Sequence, residues 1–277
     1  MSYLFDAENW RWLFSGNNFW FMLSGFWINI QIALVAMMLS LCLGLFLALL
    51  RLSKQRVVSA AAGVWIDVWR NLPLIFIILF LFLAIPESWR DVYQRVVPHW
   101  FPTAFESPFF LAAVTGLTLY NSAVLAEIMR AGIASLEKGQ GEAAASIGLR
   151  YWQSMRLVIL PQGLRRMVPA TVSQLITLNK DTTLVSIIGI QEVMRHARIV
   201  TSTSGSPFVG TGVEAPLLQV FLTVGLMFVI VNLALSRLSR RLEVRERRRT
   251  GVEVEKVAGL EDQIAVADAA VTPVPRR

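Results

Sequence analysis

Five consecutive polar residues, at positions 179–183, interrupt an otherwise apolar stretch and read Asn-Lys-Asp-Thr-Thr. Lys180 carries a cation and Asp181 an anion, the two charges that a small zwitterion needs opposite its own charged groups. Adjacent residues of a helix point about 100° apart, so the two side chains cannot face the same group of a ligand. Thr182 and Asn121 can add neutral hydrogen bonds. We predict that these four residues line a pathway for a small polar molecule; the alternative is a polar network between helices at a subunit interface.

A second basic side chain inside an apolar stretch is Arg70. It follows Asp67 by three residues, a spacing at which helical side chains pair. Such pairing is our first interpretation, and Arg70 is also a candidate for the pathway. Asn71, two residues before a proline, can satisfy a backbone carbonyl that the proline leaves without a donor. Glu127 and Arg130 have the same three-residue spacing, and we expect them to anchor the end of a helix or the following loop.

The sequence offers little for covalent or metal chemistry. It has one cysteine, Cys42, and two histidines, His99 and His196, which fall in connecting segments where a solvated histidine is common. A nucleophile with its base, or a set of metal ligands, would require several such residues together. We therefore expect no catalytic residue, no metal site and no bound cofactor. The phosphate-binding pattern G-x-x-x-x-G-K-[ST] is also absent from the sequence.

A loop at 131–166 is too long and too patterned to be a simple connector. Residues 142–147 are good helix formers apart from one serine. Glu142 then falls near the positive N-terminus of the helix, and Gly148 suits its C-terminal turn. The pattern predicts a short helix bounded by glycines.

One face of this loop has the spacing of a docking surface. Ala144, Ile147 and Tyr151 recur at i, i+3 and i+7, which predicts a stripe that can enter a groove on another protein. The alternative is an amphipathic connector on the bilayer surface, which the arginines of the loop would also favour.

The elements that must position these residues are membrane spans. Of 277 residues, 55% are hydrophobic and 16% charged, whereas an ordinary soluble domain is about a quarter charged. Apolar runs of roughly 20 residues, enough to cross about 30 Å of hydrocarbon, identify the spans. Five lie at 27–50, 57–85, 109–129, 167–190 and 216–238. The second contains Pro73 and predicts a kinked helix, and the aromatic-rich segment 1–26 predicts an extracytoplasmic, interfacial N-terminal segment.

The basic residues are unevenly distributed along the chain. Lys and Arg number 26 against 19 Asp and Glu, and most of the basic residues lie at 51–56, 130–166 and beyond 237. Because cytoplasmic loops hold the excess of Lys and Arg, we predict a multi-pass cell-membrane protein with its N-terminus outside and its C-terminus in the cytoplasm. Nucleic-acid binding, which needs basic residues along a soluble face, is not expected. The segment 241–277 has no sustained apolar face and predicts a mostly disordered cytoplasmic tail.

The loop carries a recognisable spacing. Residues 142–144, Gly148 and residues 158–161 fit the pattern E-A-A, three residues, G, nine residues, I, one residue, L-P, with Val158 in place of the isoleucine. This segment resembles the EAA loop of membrane subunits of ATP-binding-cassette (ABC) importers. The resemblance implies that the loop couples this chain to an ATPase through Glu142, Ala143, Ala144, Ile147, Gly148 and Pro161.

Further segments resemble the polar amino-acid permeases of that superfamily. Ala-Glu-Ile-Met-Arg-Ala-Gly-Ile at 126–133, Lys-Gly-Gln at 138–140 and Lys-Asp-Thr-Thr-Leu-Val-Ser at 180–186 match its patterns. Asn-Leu at 71–72 departs from the usual R-G-T-P-L, which is otherwise met at 70–74. Residues 119–125 are similar to the glutamate-type permeases of actinobacteria.

The resemblance implies an all-α, polytopic membrane protein with about five transmembrane helices and the type I ABC importer permease fold, its permease domain at 27–240. It implies import of a polar amino acid, of the glutamate type, by alternating access, with ATP and Mg²⁺ bound and ATP hydrolysed on a partner subunit. The implied partners are an ABC ATPase dimer, a second permease subunit (a second copy or a related chain), the lipid membrane and an extracytoplasmic amino-acid-binding protein. The segments 86–108 and 191–215 are the expected contact surface for the binding protein.

Two other classes of function are the alternatives. A self-contained secondary carrier usually has inverted repeats and more spans, and neither is evident in this sequence. An intramembrane enzyme or signalling scaffold would need reactive groups inside the spans, where no histidine falls.

Overall fold

The computed structural model describes residues 6–97, 105, 107–136, 138–202 and 215–250, and every regular element within these ranges is helical. The expected all-α fold class is therefore confirmed. Two short turns, Ala7–Trp10 and Arg11–Phe14, precede the first long helix. The helices are α1 (Asn18–Arg51), α2 (Arg56–Asn71), α3 (Leu74–Ala84), α4 (Glu87–Val96), α5 (Phe110–Ala134), α6 (Lys138–Ser146), α7 (Leu160–Asp181), α8 (Val193–Ser202) and α9 (Leu217–Thr250). A turn at Tyr151–Ser154 and a π-helical turn at Met155–Ile159 lead directly into α7, and a 3₁₀ turn at Thr182–Ile188 follows it.

Within the described ranges, three helices are long and apolar enough to cross a membrane, namely Asn18–Arg51, Phe110–Ala134 and Leu217–Arg245. The pair α2 and α3 is a fourth candidate, bent by 97° at its break. The helix that covers most of the predicted span at 167–190 does not reach that composition, because charged residues lie near both of its ends. Three spans, or four with the bent pair, thus qualify by length and composition where five were expected.

The predicted kink at Pro73 is a full break between α2 and α3. Leu72 is extended, with ψ of 139°, and Pro73 caps α3 with ψ of 127°. The residue before a proline is driven out of the α region by contact with the proline ring. The chain therefore turns by 97° at this point.

Both terminal long helices exceed the predicted spans. α1 begins at Asn18, inside the segment expected to be interfacial, and α9 continues to Thr250. Residues 241–250 of the segment expected to be a mostly disordered tail are helical, because they are mostly Arg, Glu and Leu with no Gly or Pro. The rest of that predicted tail, 251–277, lies outside the described residues.

Small residues allow the central helices to approach closely, as is usual where helices pack without a hydrophobic driving force between them. A Cβ atom on Gly44 of α1 would lie 3.0 Å from the Cβ of Leu125 on α5. A Cβ atom on Gly132 of α5 would lie 3.0 Å from the carbonyl oxygen of Gly163 on α7. These contacts place α5 between α1 and α7.

Two apolar clusters mark the ends of the bundle. The end that carries residues 51–56, 130–166 and 237–250 is called the basic end below, and it is packed by a cluster that includes Leu47, Ile66, Met129 and Met167. The opposite end is packed by a cluster that includes Trp12, Met22, Val193 and Val220. The N-terminal turns, α8 and the start of α9 therefore share one core around the first half of α1.

Candidate functional site

The helix of the conspicuous loop is α6, which ends in a left-handed glycine. Gly148 has φ of +84°, its N–H donates to the carbonyl of Ala145 at 2.9 Å, and the N–H of Leu149 donates to the carbonyl of Ala144 at 3.1 Å. This pair of bonds is the Schellman arrangement that closes helix C-termini. The predicted role of Gly148 in the terminal turn is confirmed.

The start of α6 differs from the prediction. The helix begins at Lys138, so Glu142 is its fifth residue and no acidic residue lies in its first turn. The inferred interaction of Glu142 with the helix N-terminus is therefore wrong. Gly139 and Gly141 are accommodated inside the helix, although each costs about 1 kcal/mol relative to alanine.

The faces of α6 are also not those predicted. Ala144 is only 3% exposed, whereas Ile147 is 75% exposed, so the two do not form one stripe with Tyr151. Ala144 packs inward, and Glu142, Ala143 and Ile147 point away from the bundle. The surface available to a partner is thus Glu142, Ala143, Ala145, Ser146 and Ile147, which we call the exposed α6 face.

Polar contacts hold the loop to the basic end of the bundle. Gln162 donates to the side chain of Gln140 at 3.2 Å, and the guanidinium of Arg166 donates to the carbonyl of Ser135 at 2.6 Å. The hydroxyl of Tyr151 donates to the carbonyl of Leu52, between α1 and α2, at 3.3 Å. These bonds connect the loop to the C-terminal ends of α1 and α5 and to the start of α7.

Pro161 lies in the first turn of α7, where a missing N–H is tolerated. Immediately before it, the N–H of Leu160 bonds to the carbonyl of Met155, five residues earlier, and forms the π turn. Such a turn accommodates an extra residue in a helix and is frequent at functional sites. A continuous helical path therefore runs from Tyr151 through the π turn into α7.

The other end of α7 carries the polar residues 179–183. They are not in the middle of the helix as predicted, because α7 ends at Asp181 and a 3₁₀ turn begins at Thr182. Thr182 is fully buried. Its hydroxyl donates to the carbonyl of Asn179 at 2.7 Å and accepts from Asn29 of α1 at 2.9 Å.

Asn29 extends this contact to a buried carboxylate. Its amide also donates to Glu192 at 2.9 Å, and its carbonyl oxygen accepts from the N–H of Val193 at 3.1 Å. Glu192 in turn accepts from the N–H of Arg195 at 2.9 Å and so caps α8. Burial raises the pKa of Glu192, and the bonds from Asn29 and from backbone N–H groups oppose that shift. Thr182, Asn29 and Glu192 form one network, called the Asn29 network below.

The predicted pathway residues differ in whether their side chains already have hydrogen-bond partners within the protein. Asn121 is fully buried, donates to the carbonyl of Leu117 at 2.8 Å and accepts from Gln174 of α7 at 2.7 Å. Lys180 is exposed and Asp181 is half-buried. In the part of the chain that the structure describes, neither of these two side chains makes a hydrogen bond or ion pair. Lys180 and Asp181 thus keep their charged groups available, whereas Asn121 and Thr182 have partners within the protein.

Arg70 lies away from this end of α7, at the C-terminus of α2. Its guanidinium lies 3.5 Å from the carboxylate of Asp67, and Asn71 donates to the carbonyl of Asp67 at 2.7 Å. The predicted pairing is confirmed, and no described hydrogen bond links Arg70 to the other candidates. The predicted pair of Glu127 and Arg130 is also present, at 2.8 Å.

The burial of His196 is not predicted by the sequence. It was expected in a solvated loop, but it is 6% exposed, its ring stacks on Phe21 at 3.9 Å, and its Nδ1 lies 2.7 Å from the carbonyl oxygen of Phe21. Burial lowers its pKa. The apolar spacing of Val193, Ala197 and Val200 could have indicated that this segment is a packed helix. The other histidine, His99, lies outside the described residues, as do parts of both predicted outer contact segments.

Residues 40–248 match the family described as the binding-protein-dependent transport system inner membrane component. The chain belongs to this family. This transport component is 39% identical over 228 residues to the probable glutamine ABC transporter permease protein GlnP of Bacillus subtilis (strain 168), covering 82% of this chain and 94% of that relative. It is 32% identical to the glutamate transport system permease protein GluD of Corynebacterium glutamicum, covering 86% of this chain and 80% of that one.

Solved structures agree with the fold of this transport component. A crystal structure of an amino acid ABC transporter with histidines is 27% identical and matches with a TM-score of 0.64, covering 81% of this chain and 94% of that chain. An inward-facing methionine ABC transporter, MetNI, matches with a TM-score of 0.59 at 17% identity, covering 82% and 99%; that likeness concerns the fold alone. The expected importer permease fold is thereby confirmed, and the protein is a membrane transport component.

Proposed function

We propose that this chain is the permease subunit of an ABC importer for a polar amino acid, of the glutamate type. The relatives named above transport glutamine or glutamate by name, and this supports the substrate class. The chain would form the translocation pathway by alternating access, in the cell membrane, with its basic end in the cytoplasm. Its partners would be an ATPase dimer that binds ATP and Mg²⁺, a second permease subunit and an extracytoplasmic binding protein.

The observation that supports the proposal most strongly is the way α6 packs on the bundle. Ala144 is buried against the bundle, Gly148 ends the helix in a left-handed turn, and the exposed α6 face lies at the basic end. A movement of a partner against this face would pass through Gln140 and Gln162 into the start of α7. This arrangement suits a helix that transmits closure of an ATPase dimer to the transmembrane helices.

The pathway residues in this proposal are Lys180 and Asp181. Lys180 would face the substrate carboxylate and Asp181 its ammonium group, since Lys180 is exposed and Asp181 only half-buried at the end of α7. Asn121 and Thr182 would not contact the substrate. They would position the pathway by fixing α7 to α5 and the 3₁₀ turn to α1. Arg70, paired with Asp67, would contribute at the break between α2 and α3.

The proposal is tested by uptake in proteoliposomes that contain this chain, its ATPase and its second permease subunit. Labelled glutamate is added with the binding protein outside and ATP inside, and unlabelled glutamine, arginine and histidine compete. We expect uptake that requires ATP and that glutamate or glutamine suppresses. Uptake by this chain alone without nucleotide would instead identify a secondary carrier and overturn the proposal.

A further inference from the structure

A basic surface covers the last third of α9. Arg237, Arg240, Arg241 and Arg245 are exposed, and the sequence continues with three more arginines at 247–249. Within the part of the chain that the structure describes, these four side chains have no hydrogen bond or ion pair. We call these four residues the α9 basic face.

The position of this face along α9 matches a membrane surface. At 1.5 Å per residue, Arg237 lies about 30 Å beyond Leu217, the first residue of the helix. That distance is the thickness of the hydrocarbon core. The remaining turns of α9, up to Thr250, therefore begin at the level where lipid phosphate groups lie.

A second helix brings a further arginine towards the same level. Ser239 of α9 donates to the carbonyl of Pro169 on α7 at 2.9 Å, and Asn179 donates to Asn232 at 3.1 Å. These bonds fix α7 and α9 as antiparallel neighbours, so the residues before Pro169 lie beside those after Ser239. Arg165 is exposed one turn before Pro169. Exposed arginines of two neighbouring helices thus lie at a similar level along the bundle.

Exposed aliphatic side chains alternate with these arginines. Leu233, Leu238 and Val244 are 45%, 47% and 50% exposed. Long basic side chains can extend to headgroups while aliphatic side chains of the same helix remain in hydrocarbon. A lipid surface accounts for both kinds of side chain, whereas binding of a soluble acidic partner would account for the arginines alone.

We propose that the α9 basic face, together with Arg165, binds the phosphate headgroups of anionic phospholipids. Basic residues at the cytoplasmic end of a span attract anionic lipids, and basic pockets between helices bind their headgroups. The site goes beyond the proposed transport function, because it requires only that α9 span a membrane.

The test measures lipid binding by the purified full-length chain in detergent. Phosphatidylglycerol, phosphatidylcholine and inorganic phosphate are each titrated, and bound molecules are counted by native mass spectrometry. The variant Arg240→Gln/Arg241→Gln is compared with Arg195→Gln/Arg198→Gln, a matched pair of exposed arginines at the opposite end of the bundle.

We expect the wild type to prefer phosphatidylglycerol to phosphatidylcholine. The affinity for phosphatidylglycerol should fall by about fivefold for each arginine removed from the α9 basic face, with no change in the control variant. Binding of phosphatidylglycerol should also weaken with added salt.

Several results would overturn the proposal. Equal affinity of wild type and Arg240→Gln/Arg241→Gln for phosphatidylglycerol would do so, and equal binding of the two lipids would too. Binding of inorganic phosphate as tight as that of phosphatidylglycerol would identify an anion site without lipid specificity. None of these readouts depends on transport, so the result is independent of the proposed function.

Discussion

Asn29 donates a hydrogen bond of 2.9 Å to Glu192, a residue 163 positions later in the chain, and both side chains are fully buried. The same amide group donates to Thr182. One side chain of α1 therefore joins the end of α7, through its 3₁₀ turn, to the cap of α8. This junction stands next to Lys180 and Asp181 in the sequence, so it fixes the backbone that carries the proposed pathway residues.

Breaking the Asn29 network should destabilise the protein. Asn29→Leu leaves a buried carboxylate without its side-chain donor, and we expect a loss of about 2–3 kcal/mol. Glu192→Gln keeps an acceptor for Asn29 and should cost less than Glu192→Ala. Thermal unfolding of the purified chain measures both effects. The control is Ser24→Ala on the same helix, where an exposed hydroxyl contacts only the local carbonyl of Phe21; a Tm for Asn29→Leu equal to that of this control would refute the structural role of the network.

Much of the helical pattern could be predicted from sequence, whereas this network could not. Gly148 was identifiable because a glycine after a run of helix formers is typical of a left-handed helix end. Asn29 and Glu192 carry no such local signal, because each finds its partner only when distant segments pack. His196 was misjudged for the same reason: the close approach of α8 at Gly25, where a Cβ would lie 2.6 Å from the histidine Nδ1, is a tertiary feature.

The polar residues 179–183 show a second limit of prediction from sequence, which concerns where a helix ends. Their composition indicated a functional segment, but an apolar stretch on both sides suggested one continuous span. The chain instead leaves the α-helical path at Thr182 and turns at Gly189, which has φ of +88°. Hydropathy locates a buried segment and does not distinguish a helix from a helix end followed by a packed 3₁₀ turn.

Gly148→Val should uncouple ATP hydrolysis from transport. A β-branched residue in the left-handed region costs about 1–2 kcal/mol, so the end of α6 should be displaced while the bundle remains folded. Gly139→Ala is the matched control, because no atom lies within 4 Å of the added Cβ and alanine favours the helix. Uptake per ATP hydrolysed should fall in the first variant and stay at the wild-type value in the second. Normal coupling in both would exclude a role for this turn.

Two adjacent alanines of α6 should respond differently to the same substitution. Ala144→Leu overpacks a site that is 3% exposed and should lower stability by about 1–3 kcal/mol. Ala143→Leu enlarges the exposed α6 face and should leave the free energy of unfolding within about 0.5 kcal/mol of the wild-type value while reducing the amount of ATPase that co-purifies. Unchanged ATPase association in Ala143→Leu would argue against docking at this face.

Substitutions of the proposed pathway residues should change transport affinity, whereas substitutions of the packing residues should change thermal stability. Lys180→Met and Asp181→Asn should raise the KM for uptake by tenfold or more, on the order of 1.4 kcal/mol each, without a shift in Tm. Asn121→Ala should instead lower Tm, because it leaves Gln174 of α7 without its buried acceptor. Normal transport affinity in both charge variants would remove Lys180 and Asp181 from the pathway.

His196 should make stability depend on pH. Because burial lowers its pKa in the folded protein, the neutral form is favoured by folding. The stabilisation is present above the unfolded value of about 6.5 and is lost as pH falls below it. The decrease in Tm between neutral and acidic pH should therefore be smaller in His196→Phe, which can keep the stacking on Phe21. An identical pH dependence in wild type and variant would contradict the buried, neutral histidine.

We propose that this chain moves its substrate only when a partner ATPase drives it through α6. Simultaneous measurement of ATP hydrolysis and amino-acid uptake in proteoliposomes of the complete complex distinguishes this from transport without coupling. We expect loaded binding protein to raise both rates together in the wild type, and Gly148→Val to retain hydrolysis while uptake falls. Uptake that proceeds at the same rate without nucleotide, or that is unaffected by Gly148→Val, would contradict it.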